Sequence, residues 1–326
     1  MFGLPLEPGA RGEAVRDLQR RLTALGQVPG GDAPGHYGDG TTSAVRAFQR
    51  HRGLRTDGVC GAQTWSALVE AGYRLGQRLL YRRTPMLRGD DVATLQRRLG
   101  ALGFDAGRID GIFGDGTAAA LVDFQRNAGL TVDGICGPAS IAALDRLAAP
   151  GRDEEPVAGL REREHLLEAP RNLEGRRVAV GHEGGLPALV TAAARALAQA
   201  GAEPLVLADP DGSRQASEAN LAGVDVYVGL RLDPHREGAS TCYYAGYRYE
   251  SAGGRRLAEL LQAALTPVLN SPDLGIQGMS IPILRETRMP AVVCEMGPGP
   301  VVVERSHEIA AAVVGALARW SAAPCD

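Results

Sequence analysis

The first half of the chain contains two copies of one sequence unit. The segment VRDLQRRLTALG at residues 15–26 recurs as VATLQRRLGALG at 92–103, and YGDGTTSAVRAFQRHRGLRTDGVCG at 37–61 recurs as FGDGTAAALVDFQRNAGLTVDGICG at 113–137. These long segments keep their order at an offset of 76–77 residues. A unit that recurs in this way forms one supersecondary structure, so the chain is expected to fold it twice.

Each unit is predicted to form three helices. Val15, Leu18 and Leu22 recur at helical spacing, and Gly26 follows at a position typical of a helix end. The segments TDGVCG and VDGICG are tight turns, because their Asp-Gly pairs supply the backbone freedom that such turns need. Apolar residues at helical spacing after each turn predict the third helix.

The repeated pattern GxxVxxLQxxLxxLG, followed by DGxFGxxTxxAVxxFQxxxGLxxDGxxG, resembles the peptidoglycan-binding domain of bacterial cell-wall hydrolases. The two matching segments are residues 9–72 and 84–148. This resemblance implies two small all-α three-helix bundles. It also implies that their ligands are peptidoglycan fragments or precursors.

Composition excludes some classes of function. The net charge of −3 argues against nucleic-acid binding by bulk electrostatics, although all 35 basic side chains are arginine. No stretch approaches the roughly 18 apolar residues that a membrane span requires. The N-terminal segment has no basic region followed by an apolar core, so it does not resemble a secretion signal and predicts a cytoplasmic protein.

The cysteines indicate reduced thiols. Their number is odd and no CxxC pair is present, which disfavours both a disulfide framework and a cysteine zinc site. Cys60 and Cys136 occupy the same position of the two repeats and are predicted to be small buried side chains.

The second half has a different pattern. Residues 149–173 are rich in proline, glycine and charge and are predicted to be an exposed linker. From 174 to 322, short apolar strands alternate with amphipathic helices. This alternation predicts an α/β domain with a mostly parallel twisted sheet covered by helices, and the whole chain is therefore multidomain.

Two segments of this domain, SEANLAGVDVYVGLRLD and ILRETRMPAVVCEMG, resemble the zinc-dependent N-acetylmuramoyl-L-alanine amidases of the Amidase_3 type. Those enzymes cleave the amide between muramic acid and L-alanine. The resemblance implies one zinc ion held by two histidines and a glutamate, with water in the fourth position. A further glutamate acts as the general base.

The expected zinc ligands are largely missing. His182, in AVGHEGG, is a candidate for the first histidine, but no acidic residue lies between Glu183 and Glu203 to supply the glutamate. Arg231 stands where the resemblance places the second histidine, and a guanidinium has no lone pair for a metal. Glu295 matches the general base and is interpreted as vestigial.

A carboxylate at the end of a buried strand needs a partner, so we predict an ion pair between Arg231 and Glu295. A second, weaker hypothesis is a pocket around Arg231 and Arg285 that holds an anionic ligand. No cofactor is expected, and zinc is expected only if the ligands have been misaligned.

The combination of two repeats with a degraded amidase domain resembles amidase homologues of the CwlM type. That resemblance implies a non-hydrolytic regulator of cell-wall biosynthesis that acts through protein partners of cell-wall synthesis. Two alternatives stay open. One is an active zinc-dependent amidase, and the other is a plain wall-binding module with a decayed enzyme domain.

Overall fold

The computed structural model describes residues 3–147, 157–234, 236–246 and 249–324. The chain divides into a helical unit and an α/β unit, with the main boundary at residue 160. No helix within the described ranges is long and apolar enough to cross a membrane.

The helical unit contains the two predicted repeats. The first consists of α1 (Glu13–Ala24), α2 (Asp39–His51) and α3 (Ala62–Ala71), and the second of α4 (Asp90–Ala101), α5 (Asp115–Asn127) and α6 (Pro138–Leu147). Each repeat has its own apolar core, built from the residues that recur at helical spacing in the sequence. The predicted three-helix units are therefore confirmed.

Each repeat also contains two buried glutamines that hold a turn against a helix. Gln49 accepts a hydrogen bond from the Gly58 N–H at 2.9 Å, and its amide donates to the carbonyl of Val59 at 3.0 Å and to Thr64 Oγ1 at 3.1 Å. Gly58 has a φ of 78°, which favours glycine. Equivalent bonds are made by three more glutamines, Gln19, Gln96 and Gln125.

Four cysteines lie within the described residues, and all four are free and buried, namely Cys60, Cys136, Cys242 and Cys294. The predicted burial of Cys60 and Cys136 is confirmed. Burial raises the pKa of the Cys60 and Cys136 thiols to about 12. Cys325 lies outside the described residues.

The predicted linker is wrong over much of its length. A helix, α7 (Val157–Glu168), lies within residues 149–173, and Leu166 is buried in the core of the α/β unit. Leu166 is buried because it packs closely against Gly253. A Cβ at position 253 would lie 2.5 Å from Leu166 Cδ1, so glycine there makes room for the leucine. Residues 149–156 lie outside the described residues.

The α/β unit is built on one six-stranded sheet. The strands are β1 (Arg177–His182), β2 (Glu203–Ala208), β3 (Val226–Leu232), β4 (Gly238–Tyr244), β5 (Asp273–Met279) and β6 (Ala291–Gly297). Their order is β2-β1-β3-β6-β4-β5, with parallel pairing everywhere except between β4 and β6. The predicted mostly parallel sheet is confirmed. The edge strand β5 was not predicted, because it is largely exposed and lacks an apolar run.

Helices cover both faces of this sheet. They are α8 (Pro187–Gln199), α9 (Gly212–Ala222), α10 (Ala252–Leu269), α11 (Pro282–Glu286), α12 (Gly299–Glu304) and α13 (Ser306–Ala322). Val226 and Val228 point to the face whose core includes residues of α8, α10 and α13. Tyr227, between them, points to the other face and contacts Gln215 of α9.

Candidate functional site

The candidate site lies where the parallel strands β1, β3 and β6 end side by side. Arg231 of β3 is in register with Glu295 of β6, and His182 of β1 is in register with Leu230. Glu183 directly follows His182, so it reaches the level of Arg231 on the other side. The carboxyl ends of parallel strands are the usual place for a ligand site in such sheets.

Five charged side chains of alternating sign follow one another across these strand ends. Nη1 of Arg231 lies 3.2 Å from Oε1 of Glu295, and Nη2 of Arg231 contacts the carboxylate of Glu183. The second oxygen of Glu295 accepts a hydrogen bond of 2.8 Å from Nη2 of Arg236. Nε of Arg236 also lies 3.4 Å from Oδ2 of Asp233. We call these five residues the charge chain.

The ion pair between Arg231 and Glu295 is thus present, as predicted. Glu295 is the most buried member of the charge chain, with 4% of its side chain exposed, against 23% for Arg231 and 20% for Arg236. A buried carboxylate is stable only when it is paired and hydrogen-bonded, and here each oxygen has its own arginine. The role of Glu295 as a former general base stays a prediction.

Arg231 is held in the charged state by its neighbours. Burial disfavours the charge, but the hydrogen bond and charge of Glu183 and the charge of Glu295 outweigh it and raise the pKa of Arg231 above its usual value. The guanidinium is therefore a cation at neutral pH.

A small cleft lies beside Arg231 and His182, on the face of the sheet covered by α9. The Tyr227 hydroxyl donates to Gln215 Oε1 at 2.7 Å, and Gln215 Nε2 donates to the His182 carbonyl at 3.1 Å. The space is about 20 Å³, enough for one water molecule. Glycine is required at 181, because a Cβ there would lie 1.9 Å from the Tyr227 hydroxyl oxygen.

The structure does not bring Arg285 into this cleft. Ile283 of the same short helix is one of the described residues that line it, whereas Arg285 is not among them. The hypothesis of an anion pocket formed by Arg231 and Arg285 is not supported by this cleft and stays a prediction. Leu284 and Ile283 take the buried positions of α11 and leave Arg285 only partly buried.

The donors at this site do not fit a zinc ion. Arg231 places a cation between Glu183 and Glu295, and both oxygens of Glu295 already accept from arginines. Nδ1 of His182 accepts a hydrogen bond of 3.1 Å from the Gly184 N–H, which leaves Nε2 as its one donor atom for a metal. Within the described residues, no group of three His, Cys, Asp or Glu side chains could hold a metal. His235 lies outside those residues.

Sequence reasoning found Arg231, Glu295 and His182, which the structure brings to one edge of the sheet. It missed Arg236 as the second partner of Glu295, and it missed the hydrogen bonds of Tyr227 within the cleft. A signal for Arg236 was available, since a second arginine follows closely after the end of a strand that already carries one.

Comparison with known proteins agrees with both halves of this description. The peptidoglycan binding domain model PG_binding_1 matches residues 11–68 and 88–144. Over 90% of its length, the chain is 34% identical to N-acetylmuramoyl-L-alanine amidase CwlM of Mycobacterium tuberculosis, and the match covers 82% of that protein. The chain belongs to the CwlM family of amidase homologues.

Other relatives of this CwlM-family chain match it over shorter spans. N-acetylmuramoyl-L-alanine amidase CwlL of Bacillus licheniformis is 36% identical over 44% of the chain, which covers 46% of that protein. Among solved structures, an N-acetylmuramoyl-L-alanine amidase from Clostridium difficile 630 matches 45% of the chain and 97% of its own length. That match has 18% identity and a TM-score of 0.39.

Proposed function

We propose that this chain is a peptidoglycan-binding pseudo-amidase, a non-hydrolytic regulator of cell-wall biosynthesis. The observation that carries the proposal is the Arg231 guanidinium between Glu183 and Glu295, at the strand ends where an amidase of this type would hold its metal.

The first argument is electrostatic. A metal dication placed near Arg231 would meet a permanent positive charge at short range, in surroundings where water screens charges poorly. The carboxylates that could offset that charge already have arginine partners. Arg231 therefore not only lacks a lone pair for the metal but also repels it electrostatically.

The second argument concerns the general base. A carboxylate that activates water needs a free oxygen within hydrogen-bond reach of that water. Both oxygens of Glu295 accept from arginines, at 3.2 Å and 2.8 Å, and its side chain is almost fully buried. Glu295 is thus arranged as a structural anion rather than as a base.

The match of both repeats to the peptidoglycan binding domain supports peptidoglycan fragments or precursors as the ligand. Because the proposed pseudo-amidase does not hydrolyse the ligand that its repeats bind, we infer that the binding of the ligand is itself the regulatory signal. Protein partners of cell-wall synthesis would then respond to it.

The alternative is an active zinc-dependent amidase. It is favoured by the similarity of the chain to N-acetylmuramoyl-L-alanine amidases and by the presence of His182, Glu183 and Glu295 at the same strand ends. For this alternative to hold, Arg231 would have to break its ion pairs with Glu183 and Glu295 when zinc binds.

Metal content and hydrolysis distinguish the two functions. The purified chain is incubated with zinc, freed of excess metal and measured for bound zinc, and then assayed for new alanine amino groups released from purified peptidoglycan. We expect no bound zinc and no release, while the same protein is retained on peptidoglycan. Stoichiometric zinc with amine release would establish the amidase instead.

A matched pair of variants tests the role of Arg231. Arg231→His removes the resident cation and offers an imidazole, whereas Arg214→His changes an arginine on α9 that is 73% exposed. We expect increased zinc binding only in Arg231→His. Equal zinc content in the two variants and the parent would show that Arg231 is not what excludes the metal.

A further inference from the structure

The two repeats share their cores but differ at the positions where they touch each other. Arg52, at the end of α2, corresponds to Ala128 in the second repeat, and Asp90, which begins α4, corresponds to Glu13 in the first. Where two tandem repeats touch, each repeat contributes a different face to the contact. A residue that makes the contact is therefore needed in one repeat and not at the equivalent position of the other. Arg52 follows this rule, because Ala128 carries no charge, whereas Glu13 keeps a carboxylate that pairs with Arg16 of its own helix.

Arg52 and Asp90 form a two-pronged ion pair between the repeats. Nη1 of Arg52 lies 2.8 Å from Oδ1 of Asp90, and Nη2 lies 2.7 Å from Oδ2. Both side chains are partly buried, with 15% and 29% exposed. The pair joins the carboxyl end of α2 to the amino end of α4, where each charge also suits the helix dipole. Such parallel hydrogen bonds restrict orientation as well as distance.

The segment between α3 and α4 is also held in place by side-chain contacts. Arg78 donates from Nε to Asp91 at 2.6 Å and from Nη2 to the Arg88 carbonyl at 2.7 Å, and its guanidinium lies 3.6 Å from the ring centre of Tyr73. Asp91 is 1% exposed, and the first repeat has Ala14 at this position. The segment therefore does not act as a free tether.

We propose that the two repeats form one rigid bivalent unit, which binds two repeating units of the same peptidoglycan polymer at once. This proposal rests on the peptidoglycan binding proposed above. Two copies of one fold carry equivalent surfaces, and a fixed orientation sets those surfaces at a fixed spacing. Binding at the first surface then presents the second to the same polymer at high effective concentration.

Rigidity is tested by the distance between spin labels in the full chain. Ala24 and Ala101 are exposed residues at equivalent positions of α1 and α4, and each is changed to cysteine for labelling, with Cys325→Ser throughout. The remaining cysteines are buried and are protected from the label. We expect one narrow distance distribution in this parent protein.

The pair Arg52→Ala with Asp90→Ala should broaden that distribution. The matched control is Glu13→Ala with Arg16→Ala, which removes the carboxylate at the equivalent position of the first repeat together with its ion-pair partner on the same helix. The control should keep the narrow distribution. A broad distribution in the parent, or a narrow one in the Arg52/Asp90 variant, would overturn the rigid coupling.

Bivalent binding is tested with two probes, intact peptidoglycan sacculi and a monomeric muropeptide. The Arg52/Asp90 variant should bind sacculi at least about tenfold more weakly than the parent, with unchanged affinity for the muropeptide. The control variant should match the parent on both probes. Unchanged affinity of the Arg52/Asp90 variant for sacculi would overturn bivalency alone, whereas a parent that binds neither probe would overturn the proposed peptidoglycan binding itself.

Discussion

The helical repeats and the end of the sheet solve the same problem in opposite ways. Both bury strongly polar side chains and provide each with partners. In the repeats the buried group that recurs is a neutral glutamine, and the same arrangement occurs four times. At the sheet end the buried group is the Glu295 carboxylate, and its arrangement with Arg231 and Arg236 occurs once.

The difference lies in how far apart the partners are in sequence. Gln49 bonds to Gly58 and Thr64, which are 9 and 15 residues away. Arg231 bonds to residues 48 and 64 positions away. A local network is copied whenever its unit is duplicated. A long-range chain of charges depends on the register of three strands, and a slip of one residue in any of them would destroy it.

The largest expected effect is at Glu295. Glu295→Gln removes the charge that both arginines share and turns an amide N–H toward one of them, so we expect a loss of about 3–5 kcal/mol in the stability of the α/β unit. Unfolding in urea is followed by the fluorescence of Trp320, which is buried in that core, in a Trp65→Phe background. The control, Glu259→Gln, is 40% exposed and should cost no more than about 0.5 kcal/mol. A loss below 1 kcal/mol at Glu295 would mean that the charge chain contributes little.

A smaller effect is expected at the repeated glutamines. Gln49→Ala leaves the Gly58 N–H without its partner and removes one of the two donors to the Val59 carbonyl, so it should destabilise the first repeat by about 2–3 kcal/mol. Gln125→Ala should do nearly the same in the second repeat, since it makes the equivalent bonds. Hydrogen exchange measured on peptides from each repeat checks this. Clearly unequal losses of stability in Gln49→Ala and Gln125→Ala would show that equivalent hydrogen bonds contribute differently in the two repeats.

The smallest effect is acid sensitivity in the first repeat. A hydrogen bond from the Thr41 side chain, with further bonds from backbone N–H groups of Thr41, Gly40 and Gly38, lowers the pKa of Asp32. A lowered pKa stabilises the fold above the unfolded value of about 3.9, and this stability is lost as the pH falls through the folded value. Asp32→Asn should therefore be less stable than the parent at neutral pH, with the difference shrinking on acidification.

The measurement for Asp32 is urea unfolding followed by Trp65 in a Trp320→Phe background, at neutral and at acid pH. Glu7→Gln, an exposed carboxylate outside the helices, is the control and should show neither change. A stability difference between Asp32→Asn and its parent that stays constant down to pH 3 would contradict the role of this carboxylate.

Much of this architecture could be predicted from the sequence because it depends on short-range pattern. Helical spacing and Asp-Gly turns predict the repeats, and alternation of strands and helices predicts the sheet. The errors have physical causes. The sequence of residues 149–173 predicts a linker because Leu166 has few apolar neighbours in the sequence, whereas its packing against Gly253 is a tertiary contact. The edge strand β5 has one exposed side and no apolar run.

For this chain, the sequence by itself determined the duplicated unit, the class of each half and the presence of an arginine, Arg231, at the end of an apolar strand. Those properties follow from residue identity and from spacing within a few turns of chain. Only the tertiary structure decided that Glu183 and Glu295 flank Arg231, that Arg236 completes the chain of charges, and that Arg52 ties the repeats together through Asp90. These contacts join residues 38 to 64 positions apart, and the register and packing that unite them are properties of the folded chain alone.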